Sequence, residues 1–225
     1  MASRTRSFGQ YCGLARALEL VGERWALLIV RDLLVGPRRF TDLRHGLPRI
    51  PSNVLADRLK ELERDGIVQR RVLPRPAASV VYELTDYGAQ LEDALMRLGI
   101  WGAQRLGDTR PGEIITPDSM VIALRSTFVP SAAKDANHTF EVRLGPVTVH
   151  AKVRDGRVTA AEGRADNPDL VITGGPAVKD LLTGDVTPET AIETGLVHLE
   201  GNPELLEKFV RLFHIPSHTK ERASA

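Results

Sequence analysis

The stretch that most restricts how this chain can fold is 50–63, Ile-Pro-Ser-Asn-Val-Leu-Ala-Asp-Arg-Leu-Lys-Glu-Leu-Glu. Leu55, Leu59 and Leu62 recur at i, i+4 and i+7, the spacing of one apolar stripe on a helix. Pro51 suits an extended entry. Ser52 is the expected N-cap, because its hydroxyl can accept from an orphaned N–H of the first turn. The opposite face carries Asn53, Ala56, Asp57 and Lys60; it is polar and short near its N-terminus, as suits a duplex groove. Taken alone, the stretch fits an ordinary amphipathic surface helix equally well. Its neighbours decide between the two.

Upstream, 11–20 reads as a short helix with Leu14, Ala17, Leu18 and Val21 on one side, interrupted at Gly22. The run 24–35 is apolar nearly all round, which predicts a central core helix with Trp25 as a core anchor. Gly36-Pro37 stops it. A short helix over 41–45 follows, capped by Thr41, with Phe40 and Leu43 turned inward. Two short helices joined by a Gly-containing turn make a helix-turn-helix. Gly66 ends the second helix. The β-branched runs 67–73 and 80–84 then predict a hairpin with its loop at 74–79. A hairpin in this place is a wing, whose Arg70, Arg71 and Arg75 are positioned for phosphates or a minor groove; a solvated hairpin with incidental charge is the alternative. A long helix is expected from Thr85 to about Leu106. Its stripe of Leu91, Leu95, Leu98 and Trp101 exceeds what so small a domain can bury, so part of it is expected to form a homodimer interface.

The near-neutral net charge of +1 hides an asymmetry. Residues 1–110 hold 18 basic against 13 acidic residues, and 17 of the 18 are Arg; the remainder holds 12 against 16. Arginine offers planar, bidentate donors suited to phosphate and guanine. The first part is therefore the one expected to meet double-stranded DNA. The chain has 225 residues, enough for one large domain or two small ones. No run approaches the ~18 to 20 apolar residues of a membrane span, so no membrane partner is expected. With no signal-peptide pattern and the single cysteine Cys12, cytoplasmic location is the default expectation.

The segment 107–117 carries two prolines among its eleven residues and reads as a linker between a domain at 1–106 and another at 118–214, with a tail at 215–225. In the second domain Asp118 is expected to cap a helix over 119–128. Alternating runs at 139–144, 147–153 and 157–163 turn at Gly145-Pro146 and Asp155-Gly156, which predicts an antiparallel meander with one covered face. A strand at 169–173, helices at 176–183 and 187–194, a strand at 196–200 and a final helix over 203–213 capped by Asn202 complete an α+β fold. No metal-ligand cluster, phosphate loop or nucleophile elbow is legible, and the carboxylates are not paired for acid–base work. Neither an enzyme nor a cofactor is expected. His150 and His198 are expected as exposed or satisfied imidazoles on strands.

The order Tyr11-Cys12, 17–25 (Ala-Leu-Glu-Leu-Val-Gly-Glu-Arg-Trp), 36–43 (Gly-Pro-Arg-Arg-Phe-Thr-Asp-Leu), 54–62 with Asp65-Gly66, and 82–88 (Tyr-Glu-Leu-Thr-Asp-Tyr-Gly) resembles the HxlR-type winged helix-turn-helix regulators. The resemblance covers about 11–106. It implies a dimer that binds specific DNA, with 52–64 as recognition helix and 70–82 as wing. The expected DNA contacts are Arg38, Arg39, Thr41, Arg49, Ser52, Asn53, Asp57, Arg58, Lys60, Arg70, Arg71 and Arg75. Some members sense oxidants through the cysteine matching Cys12; a buried, inert thiol is the other reading. The segments 167–174, 181–184, 191–195 and 199–202, with Leu205, Leu206 and Phe209, resemble the sterol-carrier-protein type domain, over about 118–214. That likeness implies an apolar tunnel for a lipid or other apolar small molecule, or else a filled core. The expected lining is Leu124, Phe128, Phe140, Val142, Val149, Leu181, Leu182, Ile192, Phe209 and Phe213. The combined expectation is a dimeric, ligand-responsive repressor. The alternatives are a lipid carrier on a dimerisation domain and a redox switch at Cys12.

Overall fold

A computed structural model describes residues 7–74, 76 and 78–216. The chain divides into two compact units at the Leu95/Met96 junction.

The first unit runs α1 (Gly13–Val21), α2 (Ala26–Val35), α3 (Phe40–Gly46), α4 (Ser52–Arg64), β1 (Val68–Val72), β2 (Val80–Leu84) and α5 (Asp86–Ala89), followed by α6 (Glu92–Ala103). Its core is made by Ile29, Val30 and Leu33 of α2, Leu43 of α3, and the predicted stripe Leu55, Leu59 and Leu62 of α4. Burying each such side chain contributes roughly 1.5–3 kcal/mol. Leu47 and Ile50 are buried too, and the Ile50 N–H donates to the Leu47 carbonyl at 2.9 Å. The turn between α3 and α4 is thus anchored at both ends. Asp32 of α2 is fully buried and accepts from Arg31 Nε at 2.8 Å. A Cβ on Gly46 would come within 2.9 Å of the Asp32 carboxylate, so glycine lets α3 end against α2 without displacing that buried side chain.

β1 and β2 pair antiparallel from Val68↔Leu84 to Val72↔Val80, giving the predicted wing. Arg38 adds a backbone bridge to Tyr82, its N–H donating to the Tyr82 carbonyl at 2.9 Å and its carbonyl accepting at 2.8 Å. The base of the wing is thereby tied to the start of the helix-turn-helix. The Thr85 hydroxyl donates to the Gly66 carbonyl at 2.6 Å and accepts from the Gly88 N–H at 3.0 Å. Gly88 sits so close to Ile67 that an added Cβ would lie 2.1 Å from its carbonyl oxygen.

Several expectations need correction here. The long helix over 85–106 is two helices, because Thr85 and Gly88 lock α5 onto the Gly66-Ile67 segment ahead of β1 and the chain turns before α6. Trp25 is half-exposed at φ 80°, ahead of a helix that begins at Ala26, and its indole lies against the Arg24 guanidinium rather than anchoring the core. On α1 only Ala15 and Val21 are buried; Leu14 and Leu18 face outward. Ser52 is the first helical residue and Pro51 holds the cap position, so no side chain caps α4. At α3 the helix begins at Phe40, one residue before Thr41, and the Asp42 carboxylate accepts the Arg39 N–H at 2.9 Å.

The second unit contains α7 (Pro117–Thr127), β3 (His138–Leu144), β4 (Val147–Arg154), β5 (Arg157–Glu162), β6 (Leu170–Gly174), α8 (Lys179–Thr183), α9 (Pro188–Glu193), β7 (Val197–Gly201) and α10 (Leu205–Leu212). The five strands lie in the order β5-β4-β3-β6-β7. The meander β3-β4-β5 is antiparallel as expected, whereas β6 joins the other side of β3 in parallel. To get there, the segment after β5 passes over Glu141, whose carboxylate accepts the Ala165 N–H at 2.7 Å. This crossing is why a glutamate on the polar face of the sheet is buried. The Thr116 hydroxyl, not Asp118, caps α7, and the Ser119 hydroxyl in turn accepts the Thr116 N–H at 3.0 Å. The last regular helix begins at Leu205, two residues later than the sequence suggested, although Asn202 does accept the Glu204 N–H at 3.0 Å.

Candidate nucleic-acid interface

The buried stripe of α4 fixes what its other face shows. With Leu55, Leu59 and Leu62 inside, Ser52, Asn53, Asp57 and Lys60 are exposed along the N-terminal half of the helix and its next turn, and Glu63 and Arg64 are exposed at its C-terminal end. Arg39 and Thr41, at the start of α3, are also exposed, as is Arg49 in the turn. Arg38 is half-buried, because its backbone is engaged with the wing. An exposed helix N-terminus with flanking guanidinium groups has the donor chemistry for phosphate oxygens, and the Asn53 amide has that for base edges.

Arg58 differs from the rest. It bonds Glu61 on its own helix, and Nη2 lies 3.9 Å from Glu23 before α2. Its side chain keeps only 17% of its exposure. Two carboxylates thus hold Arg58 against the protein, unlike the exposed arginines around it. On the wing, Arg71 Nε donates to Glu83 at 2.8 Å, and the Gln69 amide adds a 3.0 Å bond to the same carboxylate. The hydrogen bond from Arg71 holds the Glu83 carboxyl below its ordinary value. Arg70 stands over the Tyr82 ring at 5.9 Å. Of the wing arginines, Arg75 lies outside the described residues.

Cys12 is exposed, which corrects the reading of a buried thiol. It occupies the N-cap position of α1, and the N–H groups of Ala15 and then Leu14 draw its thiol pKa below the ordinary value. Two apolar surfaces are left uncovered: Leu14, 69% exposed, with Leu18 on α1, and Leu98 with Trp101, also 69% exposed, on α6.

The residues expected to line a tunnel in the second unit are mostly packed on each other. Phe140, Phe209 and Phe213 are completely buried and form a ring cluster, with centroids 5.3 Å apart for Phe140–Phe209 and 4.8 Å for Phe209–Phe213. Phe128, half-buried, joins at 5.8 Å from Phe213. Leu124, Val142, Val149, Leu181 and Leu182 are buried around them. Ile192 is 43% exposed on the outer side of α9 and lines nothing in the core. Helical spacing alone could not show which way that short helix turns. His150 Nδ1–H donates to the Gly163 carbonyl at 3.0 Å, and His198 is exposed. No group of metal-ligating side chains occurs among the described residues. No helix among them is long and apolar enough to cross a membrane.

Sequence reasoning missed Asp32 and the Glu23–Arg58–Glu61 cluster. A charged residue in the apolar α2 run was the available signal for Asp32. Nothing in the spacing links Glu23 to Arg58, which meet only through the fold.

Comparison with known proteins matches two regions of the chain. The family model described as HxlR-like helix-turn-helix matches residues 20–110, and that of the SCP-2 sterol transfer family matches residues 123–214. The HTH-type transcriptional regulator YodB of Bacillus subtilis (strain 168) is 41% identical over 95 residues, which span 41% of this chain and 85% of that protein. The uncharacterized HTH-type transcriptional regulator YtfH of Escherichia coli (strain K12) is 34% identical over 94 residues, 42% of this chain and 75% of that protein. A solved structure of the reduced form of YodB is 37% identical, with a TM-score of 0.39, over 46% of this chain and all of that chain. The chain belongs to the HxlR-like helix-turn-helix family of transcriptional regulators, and carries behind that domain a second one that matches the SCP-2 sterol transfer family.

Proposed function

We propose that the protein is a homodimeric repressor that reads duplex DNA with α4 and is responsive to an apolar small molecule through its second unit. The observation that carries the DNA-binding part is the outward face of α4. Ser52, Asn53, Asp57 and Lys60 are exposed together while the leucine stripe is buried. In this reading Asn53 and Lys60 contact base edges, with Ser52 and Asp57 adding selectivity. Arg38, Arg39, Thr41, Arg49, Arg70, Arg71 and Arg75 contact phosphate. On the reading face Lys60 is joined only by Arg64, which is paired with Asp65 at 2.8 Å, so most of the affinity comes from the flanking arginines and falls steeply with salt. The uncovered Leu14 and Leu18 of α1, and Leu98 and Trp101 of α6, supply the dimer contacts. A symmetric dimer then meets half-sites about one helical turn, ~34 Å, apart.

The test is a gel-shift titration with DNA from upstream of the protein's own coding sequence. Retardation at nanomolar protein, lost in the Asn53→Ala, Lys60→Ala double variant, is the expected result; equal retardation of scrambled DNA sinks the reading. The sensor part is supported by the SCP-2 match over residues 123–214. It requires that the ligand bind the DNA-competent and DNA-incompetent states with different affinity.

A second reading is favoured by one observation: the exposed Cys12 thiol, acidified by backbone N–H groups. Thiolate is the form that oxidants attack, so an oxidant can join two such thiols across a dimer. Cys12→Ser that still releases DNA on diamide treatment excludes this switch.

A further inference from the structure

The phenylalanine cluster leaves the sheet-and-helix core of the second unit filled, so a ligand needs room elsewhere. A recess of about 650 Å³ lies at one end of the sheet, inside the 300–1,000 Å³ range of small-molecule sites. One wall is the segment before α7, with Pro111, Ile114 and Ile115. The other is formed by the β3–β4 turn at Gly145-Pro146 and the end of β6 at Gly175-Pro176. We infer that this recess is the protein's small-molecule site and that it takes a neutral, mainly apolar ligand, a proposal that rests on reading the second unit as ligand-responsive.

The walls give the ligand class. Proline, isoleucine and Leu144 side chains dominate the lining, and Ile114 remains 58% exposed although its segment packs at the sheet end. A large aliphatic group left in water beside a concave apolar wall gains about 25 cal/mol for each Å² a ligand covers. The only charged side chains in the lining are Arg110 and Glu113. They neutralise each other, with Arg110 Nε 3.8 Å from the Glu113 carboxylate and the Arg110 N–H donating to it at 2.8 Å. An ionic ligand would have to displace one partner from the other, whereas a neutral one leaves the pair intact. The backbone also leaves space: a Cβ on Gly175 would meet nothing within 4 Å, and φ there is −120°, open to any residue. The same segment joins the matched regions 20–110 and 123–214, so a molecule seated here holds the connection against the sheet.

The experiment uses the full chain with the neutral fluorescent probe N-phenylnaphthylamine and, for comparison, anilinonaphthalene sulfonate, a similar ring system with a negative charge. The wild type is expected to bind the neutral probe saturably, about one per chain, and the sulfonate more weakly. Gly175→Leu, which fills the recess, and Ile114→Glu, which puts a charge in an already exposed wall, are each expected to weaken the neutral probe about tenfold or more. Circular dichroism should be unchanged. Absence of saturable binding in the wild type overturns the proposal. So does wild-type affinity in a folded Gly175→Leu, or tighter binding of the sulfonate; if Gly175→Leu does not fold, wild-type affinity in Ile114→Glu overturns it instead. Probe binding needs no DNA, so a protein that binds the probe here but ignores its upstream DNA breaks the regulator reading and leaves this site standing.

Discussion

The two units solve the problem of a small core in opposite ways. The second interlocks Phe140, Phe209 and Phe213 on one face of a five-stranded sheet; past the helix α6 that leads into it, Ile114 and Ile192 are among the large apolar side chains it leaves exposed. The helix-turn-helix unit buries α2 and the stripe of α4 but leaves Tyr11, Leu14, Leu18 and Tyr87 outside, as does α6 with Leu98 and Trp101. Its ion pairs also differ in purpose. Arg143 sits between Glu141 and Glu200 at 2.7 Å from each and fastens a sheet face. Arg58 and Arg71 are instead held by carboxylates beside the surface proposed to meet phosphate. A domain complete by itself suits holding a ligand. A domain with uncovered apolar helices suits assembly into a dimer, which is what a two-fold operator requires.

The comparison breaks most severely at the cores. Phe140→Ala is expected to destabilise the second unit by about 3–5 kcal/mol and Leu59→Ala the first by about 2–5 kcal/mol. In thermal unfolding followed by circular dichroism, each should lower one transition and leave the other in place; a single transition moved by both would refute two separate cores. Next comes Gly88→Ala, which forces α5 away from the Ile67 carbonyl. A loss of about 1–3 kcal/mol, read by urea denaturation, is expected in the first transition only.

Much of this fold can be read directly from residue spacing. The leucines of α4, the wing and the β3-β4-β5 meander follow from periods of 3.6 and 2 together with turn residues. Spacing fails where a distant partner decides. The α5–α6 break depends on Gly88 meeting Ile67, and the parallel pairing of β6 depends on a crossing segment that closes over Glu141. The site shows the same limit. Asn53, Asp57 and Lys60 are legible because a helix has one outward face once its inward face is known. Arg58 shares that helix, yet Glu23, far away in sequence, helps turn it back. Residue type alone suggests burial for Trp25 and Cys12, whereas their places at helix starts put them near the surface.

Effects on assembly are smaller in energy but sharper in readout. Leu14→Glu combined with Trp101→Glu should shift the sedimenting species from dimer to monomer with the thermal transitions moved little, since both side chains are already exposed in the single chain. A dimer that survives both changes would remove the assembly half of the contrast. Replacing Arg39 by Ala should lower the slope of log affinity against log salt by about 0.9, one phosphate contact. Arg58→Ala should leave that slope unchanged, and an equal loss in both variants would show that the carboxylate pairing does not keep Arg58 from DNA. The smallest effect concerns pH. Arg71 depresses the Glu83 carboxyl, so its contribution is present above the unfolded carboxyl value and is lost as pH falls through the folded one. Arg71→Met should abolish only this acid-side component of first-unit stability, read by urea denaturation across the carboxylate range.

The central claim, that the first unit reads DNA as a dimer, is tested most directly by fluorescence anisotropy of a labelled upstream duplex titrated with the full chain. The expected result is saturation at two chains per site, at least a hundredfold preference over a scrambled duplex at physiological salt, and loss of that preference in the Asn53→Ala, Lys60→Ala variant. Equal affinity for the scrambled duplex, or saturation at one chain per site, would contradict it.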